Sequence, residues 1–269
     1  MTELAFTPRL ALSSLSGESD AEWARAGSDY AGAAVLGGIA LDSRSREAAR
    51  KLVERERTEF LPDDPLAFID RQLAALEDAP LTAGFNVRSA TVDPIAEAAA
   101  VCRDREAFLE INAHCRQAEL CAAGCGETLL QDGPRLCEYV EAATETGATV
   151  GVKVRAEVPG VDLPDLARAL EDAGARYVHV DAMDSEGVIA DVVGATGSDL
   201  FVIANNGVRD AETVREYRAH GADAVSVGRP SDDPDVLERV RAAVDREFDT
   251  DADSGSDSQT GVESTRPQP

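Results

Sequence analysis

Lysine is almost absent from this chain: among 26 basic residues only Lys51 and Lys153 are lysines, against 51 acidic residues and a formal net charge of −25. Dense carboxylates with scarce lysine are typical of adaptation to high salt, where screening removes most of the self-repulsion. An acidic partner-binding protein is the alternative, but the acidic residues are spread along the whole chain, which favours salt adaptation. Because the Debye length in molar salt is only ~3 Å, the net charge does not exclude nucleic acid as a partner.

A signal-peptide core and a membrane-length apolar run are also absent from the sequence. No apolar run approaches the ~18 residues that a membrane span needs, so no membrane association is expected. The five cysteines are an odd number in a chain without an export signal, and we expect reduced thiols in a cytoplasmic protein. Three cysteines and a histidine lie between positions 114 and 125, but no pair has Cys-x-x-Cys spacing, and the sequence predicts no metal site.

Short apolar runs alternate with helix-forming segments along the chain. The predicted strands are Leu10–Leu15, Ala33–Ile39, Leu81–Val87, Ala107–Ile111, Thr149–Arg155, Tyr177–Ala182, Leu200–Ala204 and Ala224–Val227. Strands that alternate with helices form parallel sheets, and uniformly apolar strands are covered on both faces. Eight such units in about 240 residues predict a closed (β/α)8 or TIM barrel over residues 1–248, with a doubly wound open sheet as the alternative. Residues 249–269 have little to bury, and we expect a disordered tail.

The segment Leu109–Gln117 begins as a strand and continues as a polar cluster. An amide, an imidazole, a thiol and a guanidinium follow within five positions, which is typical either of a surface loop or of groups delivered to a pocket. In a TIM barrel the active site lies at the carboxyl ends of the strands. The polar or glycine candidates near those ends are Ser13, Asn86, Asn112, Cys115, Lys153, His179, Asn206, Gly207, Gly228 and Arg229.

Three of these candidates carry reactive side chains. Lys153 lies between two valines in an apolar strand, and a buried lysine is costly without a partner. It therefore either pairs with a carboxylate inside the barrel or faces an anionic cofactor or intermediate. His179 has two similar interpretations, a satisfied core histidine or a site residue. Cys115 stands between a histidine and an arginine, whose positive charges favour a thiolate or a readily shared thiol proton.

The loops after the last two strands predict a phosphate site. Asn206-Gly207 follows strand seven and Gly228-Arg229 follows strand eight. In TIM barrels these loops and a following helix N-terminus often bind phosphate. Glycine lets the backbone approach the anion, and Arg229 can add a charge-assisted hydrogen bond.

Several motifs occur in the order and spacing of the tRNA-dihydrouridine synthases. They are Ile111–Cys115, Gly124–Leu130 with Asp132, Val152–Arg155, Val178-His179, Asn205–Val208 and Gly221–Arg229. The chain therefore resembles that family, and more widely the dihydroorotate and dihydropyrimidine dehydrogenases. It is most similar to an archaeal branch, because only a polar tail follows Phe248 where bacterial members have a helical domain that grips tRNA.

The resemblance implies an FMN-dependent oxidoreductase that reduces a uracil ring, in tRNA or as a free pyrimidine. Hydride from flavin N5 would go to C6 of the ring, Cys115 would protonate C5, and NAD(P)H would restore the flavin. Lys153 would lie beside the N1/O2 edge of the flavin, and His179 is a further catalytic candidate. The remaining cofactor-binding residues implied are Ser13, Asn86 and Asn112 near the ring and Asn206, Gly207, Gly228 and Arg229 at the phosphate.

The chain departs from this family at two motifs, and other functions stay open. The family's Gly-Cys-Pro is here His114-Cys115-Arg116, and its His-Gly-Arg after strand six is His179-Val180-Asp181. The alternatives are a dehydrogenase of free pyrimidines, a phosphate-binding barrel lyase or isomerase that uses Lys153 as acid/base or Schiff-base residue, and a non-catalytic binding barrel.

Overall fold

A closed barrel of parallel strands forms the centre of the molecule. The computed structural model describes Leu4 and residues 6–248. The strands of this part are β1 (Leu10–Leu12), β2 (Ala33–Ala40), β3 (Thr82–Arg88), β4 (Phe108–Asn112), β5 (Thr149–Arg155), β6 (Tyr177–Asp181), β7 (Phe201–Asn205) and β8 (Ala224–Val227). Each strand pairs in parallel with the next, and β8 pairs with β1. The predicted (β/α)8 barrel is confirmed.

Helices surround the barrel and connect consecutive strands. They are α1 (Ala21–Ala26), α2 (Ser43–Val53), α3 (Pro65–Ala74), α4 (Asp93–Asp104), α5 (Ala118–Ala122), α6 (Glu127–Leu130), α7 (Gly133–Thr144), α8 (Leu163–Asp172), α9 (Val188–Ala195), α10 (Ala211–Ala219) and α11 (Pro234–Glu247). A 3₁₀ turn, Arg229–Asp232, precedes α11. Aspartate side chains accept backbone N–H groups at the N-termini of α1, α2, α3, α7, α8, α10 and α11, which stabilises these helix starts.

Two predicted elements differ from the structure. The sequence predicts a short helical piece over Gly124–Leu130, but only Glu127–Leu130 (α6) is helical, and a tight turn separates it from α5. Gly124 and Gly126 adopt φ values of +90° and +59° there, and a Cβ on Gly126 would overlap the carbonyl of Cys115. The first strand ends at Leu12, earlier than the predicted Leu15, and in the turn that follows the hydroxyl of Ser19 bonds to the backbone of Leu15.

Side chains alternate between two environments along the strands. Outward residues such as Leu109, Ile111 and Val152 pack in the main core beneath the helices. A second apolar cluster fills the lower barrel and consists of Leu4, Phe6, Ala11, Ala33, Val35, Phe108, Tyr177, Ile203 and Ala224. The rings of Phe108 and Tyr177 meet edge to face at 5.4 Å. Above this cluster, toward the carboxyl ends of the strands, the inward residues are polar.

Among the described residues, no helix combines the length and the apolar character that crossing a bilayer requires. The tail predicted for residues 249–269 lies outside the described residues.

Candidate active site

Three predicted site residues are direct neighbours on adjacent strands. In the strand register Asn112 of β4 pairs with Lys153 of β5, which pairs with His179 of β6. Paired residues of parallel strands face the same side of a sheet, so all three side chains point into the barrel. Each is buried, with at most 2% of its surface exposed. The proximity that the sequence predicts is therefore observed, while the roles of these residues stay predictions.

A glutamate that the sequence reasoning missed joins these residues. Glu110 lies two positions before Asn112 on β4 and is completely buried. One of its carboxylate oxygens accepts a hydrogen bond from Asn86 Nδ2 at 2.7 Å. The other lies 2.7 Å from His179 Nδ1. The period-two alternation of a strand, applied from Asn112 back to Glu110, could have indicated this residue.

The carboxylate of Glu110 carries a negative charge inside the barrel. Burial alone would raise its pKa, but the interactions with His179, Lys153 and Asn86 outweigh burial and leave the pKa below its ordinary value. Burial lowers the pKa of Lys153, and the charges of Glu110 and Asp181 oppose that shift. The Lys153 ammonium also donates to the hydroxyl of Ser13. Both sequence interpretations of Lys153 thus have support: it has an internal counter-charge, and it lies at the carboxyl ends of the strands.

The imidazole of His179 is bonded at both ring nitrogens. Nδ1 faces Glu110, and Nε2 lies 2.7 Å from Ser226 Oγ on β8. Ser226 Oγ in turn accepts from Asn205 Nδ2 at 2.6 Å. Burial, together with the charge of Lys153, lowers the pKa of His179, so the ring is neutral near pH 7. A neutral ring next to a carboxylate carries its proton on Nδ1 and accepts from Ser226 at Nε2.

Two buried arginines flank this cluster at the ends of β3 and β5. Arg88 forms an ion pair with Glu59 at 2.7 Å and also donates to Ser16. Arg155 forms an ion pair with Glu127 at 3.0 Å. The Nε atom of each arginine is buried without a hydrogen-bond partner among the described residues. These atoms are unused donors near the barrel mouth, and the sequence reasoning did not select either residue.

Cys115 lies near the cluster, but its sulfur belongs to a different environment. Its backbone N–H donates to Asn112 Oδ1 at 3.2 Å. Its half-buried side chain packs against an apolar cluster that includes Leu52 of α2 and Leu120 of α5. The neighbouring His114 places Nδ1 3.3 Å from the same Asn112 oxygen. Burial lowers the pKa of His114 well below its ordinary value, and the surrounding positive charges, chiefly that of Lys153, lower it further.

The residues predicted to bind phosphate lie at the rim. Asn206 and Gly207 are exposed, and Asn206 Nδ2 donates to the carbonyl of Met183 at 2.8 Å. Gly228 is half-buried and Arg229 is exposed at the start of the 3₁₀ turn. The structure does not join any of these four residues to the buried cluster. On β7, the side-chain amide that contacts the buried cluster is that of Asn205, which donates to Ser226.

A cavity of about 300 Å³ opens beside Arg155 at the end of β5. Its walls come from the loop that follows β5 and from the first residues of α8 and α9. They consist of Arg155, Ala156, Glu157, Val158, Val161, Asp162, Leu163, Pro164 and Val188. The cavity therefore combines apolar side chains with the carboxylates of Glu157 and Asp162 and with an arginine whose Nε is unpartnered within the described part of the chain. Within that part, no group of three or more His, Cys, Asp or Glu side chains forms a metal-binding cluster.

Comparison with known proteins supports the fold. No protein-family model matches the chain. An uncharacterized protein of Methanocaldococcus jannaschii is 25% identical over 236 residues, which cover 82% of this chain and 88% of that protein. The ligand-free DHODH of Eimeria tenella matches with a TM-score of 0.65 and 14% identity, over 90% of this chain and 85% of that chain.

Two structures from Pyrococcus furiosus share the same architecture. The thiamine phosphate pyrophosphorylase matches with a TM-score of 0.52 and 14% identity, and the tryptophan synthase complex with 0.55 and 13%. Each match covers 89% of this chain and 96% of the other. The fold is that of a TIM barrel. A shared fold alone does not fix an activity.

Proposed function

We propose that this chain is an FMN-dependent oxidoreductase, similar to the tRNA-dihydrouridine synthases, that reduces the uracil ring of uridine in tRNA with NAD(P)H as the reductant. The observation that carries the proposal is the row Asn112, Lys153 and His179 on adjacent strands, at the end of the barrel where TIM-barrel enzymes bind substrates. The motif resemblance supplies the reaction, and the fold shared with a DHODH allows it.

The residues at the barrel mouth fit the chemistry of FMN. A flavin ring presents carbonyl oxygens and ring nitrogens, which need N–H and O–H donors, and its reduced form is anionic. Lys153 and Ser13 offer an ammonium and a hydroxyl on opposite sides of the barrel, and Asn112 offers an amide beside Lys153. The buried Nε of Arg88 and of Arg155 are further donors without partners among the described residues. This donor set suits an anion, although the molecule as a whole is strongly acidic.

In this proposal each residue has a separate task. Bound FMN supplies hydride transfer to the uracil ring. Lys153 holds the negatively charged edge of the cofactor, and Gly228 and Arg229 bind its phosphate at the rim. Cys115 donates the proton from Sγ to C5 of the uracil.

The first test is the absorption spectrum of the purified protein, followed by titration with FMN. We expect the visible bands of oxidised flavin, either as purified or after FMN is added. The Lys153→Met variant should bind FMN more weakly, whereas Lys51→Met, which removes the exposed lysine of α2, should bind it normally. A colourless protein that fails to take up FMN would exclude the proposal.

The second test concerns the substrate and Cys115. tRNA from a deletion strain should lack dihydrouridine at one or more positions, which nucleoside mass spectrometry measures. Complementation with Cys115→Ser should leave the modification missing while the purified variant retains flavin. Unchanged tRNA from the deletion strain, with a flavin-loaded protein, would instead indicate a free pyrimidine as the substrate.

A further inference from the structure

A continuous chain of side-chain hydrogen bonds crosses the barrel beneath the mouth, and Glu110 lies at its centre. On one side Glu110 accepts from Asn86 Nδ2 at 2.7 Å, Asn86 Oδ1 accepts from Asn112 Nδ2 at 2.9 Å, and Asn112 Oδ1 accepts from the Cys115 N–H at 3.2 Å. On the other side Glu110 meets His179, which is bonded to Ser226. The chain thus connects strands β3, β4, β6 and β8 with the loop that carries the thiol.

A carboxylate fixes the direction of such a chain because it can only accept hydrogen bonds. Asn86 must turn its NH₂ group toward Glu110, which leaves its oxygen for Asn112. Asn112 must then turn its NH₂ group toward Asn86, which leaves its oxygen for the N–H of Cys115. In the same way the proton of neutral His179 must be on Nδ1, facing the carboxylate. One ionised group therefore sets two amide orientations and one imidazole tautomer.

We propose that Glu110 is a positioning residue that holds the loop of Cys115 through Asn86 and Asn112 and holds His179 in its Nδ1–H tautomer through a direct hydrogen bond. Glu110 lies two positions before Asn112 on β4, farther from the mouth, and its side chain is completely buried. For catalysis the inference rests on the proposed function, since the positioned groups are the proton donor and a neighbour of Lys153. The hydrogen-bond chain exists whether or not the protein binds flavin.

The main test is the isosteric variant Glu110→Gln in the full-length protein. The side-chain amide of glutamine can accept from Asn86 only if its NH₂ group faces His179 Nδ1, so the imidazole proton must move to Nε2. With selective ¹⁵N-histidine labelling, the spectrum contains the signals of only three imidazoles. The signals of His179 are assigned as those that disappear in the His179→Asn variant. We expect the Nδ1–H pattern in the wild type and, where the glutamine oxygen faces Asn86, the Nε2–H pattern in Glu110→Gln.

The second readout is the alkylation rate of the Cys115 thiol, measured by peptide mass spectrometry. In the opposite orientation the glutamine oxygen faces His179, the tautomer stays Nδ1–H, and the amide chain through Asn86 and Asn112 reverses, which removes the acceptor for the Cys115 N–H. Loss of one such hydrogen bond should raise the alkylation rate by up to about tenfold. The matched control is Asp223→Asn, which changes a partly buried carboxylate just before β8 that bonds to the backbone of Val202 and lies outside the chain. It should change neither the tautomer nor the alkylation rate.

Two further variants separate the branches and keep the test decisive if Glu110→Gln does not fold. Asn86→Ala interrupts only the branch to Cys115, so it should raise alkylation and leave the tautomer of His179 unchanged. Ser226→Ala should shift the His179 signals and leave alkylation unchanged. Equal effects of both variants on both readouts, or a Glu110→Gln variant in which both the tautomer of His179 and the alkylation rate of Cys115 are unchanged, would overturn the inference. Neither readout needs flavin, so a flavin-free protein would remove the proposed function and leave this inference testable.

Discussion

At the scale of single residues, the central feature is a pair of opposite charges inside the barrel. Lys153 and Glu110 lie on neighbouring strands, both are nearly inaccessible to water, and each shifts the pKa of the other toward the charged form. A buried charge without compensation is much more costly than a compensated pair. Each of the two residues therefore depends on the other for its ionised state.

A double-mutant cycle on these two residues tests that dependence. Lys153→Met should destabilise the fold by about 3 kcal/mol, because it leaves the Glu110 carboxylate buried without its cation. The double variant with Glu110→Gln should regain most of this stability, yet still bind FMN weakly. Chemical unfolding measures the stabilities, and the cycle gives the coupling energy.

Lys51→Met provides the matched control, since this lysine is exposed and lies 3.8 Å from Glu47 on the same helix. It should change stability by less than about 0.5 kcal/mol. A double variant as unstable as Lys153→Met would show that the two charges are not coupled.

At the scale of elements, the apolar pattern of the strands predicted the barrel, because eight buried runs separated by helices allow few other folds. The same pattern concealed Glu110. It stands between Leu109 and Ile111, and its partners Asn86 and His179 are 24 and 69 positions away, so no local spacing indicates the contact. The turn at the start of the predicted helical piece Gly124–Leu130 was missed for a related reason, since the left-handed conformation of Gly126 is required by the carbonyl of Cys115, eleven positions earlier.

Glycines inside the strands make room for aromatic rings, and this predicts the effect of adding a methyl group. A Cβ on Gly151 would overlap the ring of Tyr177 in the barrel, so Gly151→Ala should cost about 2 kcal/mol. Gly194 in α9 is exposed and has open space at its Cβ position. Gly194→Ala should stabilise the protein by about 0.5 kcal/mol. Thermal unfolding of both variants measures the difference, and an equal effect of the two would contradict this description of the barrel interior.

The N-terminus of α2 gives a pH-dependent prediction. Asp42 accepts from the backbone of Arg44 and Ser45 and also from Ala90 at 2.7 Å, which joins α2 to the loop after β3. Burial would raise the pKa of Asp42, but these hydrogen bonds outweigh burial and keep it below its ordinary value of 3.8. The stabilisation is therefore complete above that value and is lost as the pH falls through the lower pKa of the folded protein.

Asp42→Asn should cost about 2 kcal/mol at pH 7, and this difference from the wild type should shrink as the pH falls below 3.8. Asp64→Asn is the control, because Asp64 caps α3 through Ala67 alone and should cost less. Urea unfolding at a series of pH values measures both. A constant difference for Asp42→Asn across the series would be inconsistent with the lowered pKa.

At the scale of the whole molecule, charge is distributed unequally between the surface and the barrel mouth. The mouth contains Arg88, Lys153 and Arg155, and each has a nearby carboxylate in Glu59, Glu110 or Glu127. The mouth is thus close to neutral, while the chain as a whole carries a formal net charge of −25. The excess negative charge therefore lies elsewhere, and its self-repulsion opposes the compact state.

This distribution predicts that salt stabilises the protein by screening. Between 0.1 M and 1 M KCl the Debye length falls from ~10 Å to ~3 Å, so repulsion among surface carboxylates should decrease and Tm should rise by several degrees at pH 7. The control is the same series near the isoelectric point of about 4.4, where little net charge remains to be screened. A Tm increase that is equally steep at both pH values would assign the effect to preferential exclusion of salt rather than to charge. A Tm that does not rise with salt at pH 7 would contradict the interpretation of the acidic composition as salt adaptation. It would favour the alternative, an acidic partner-binding protein.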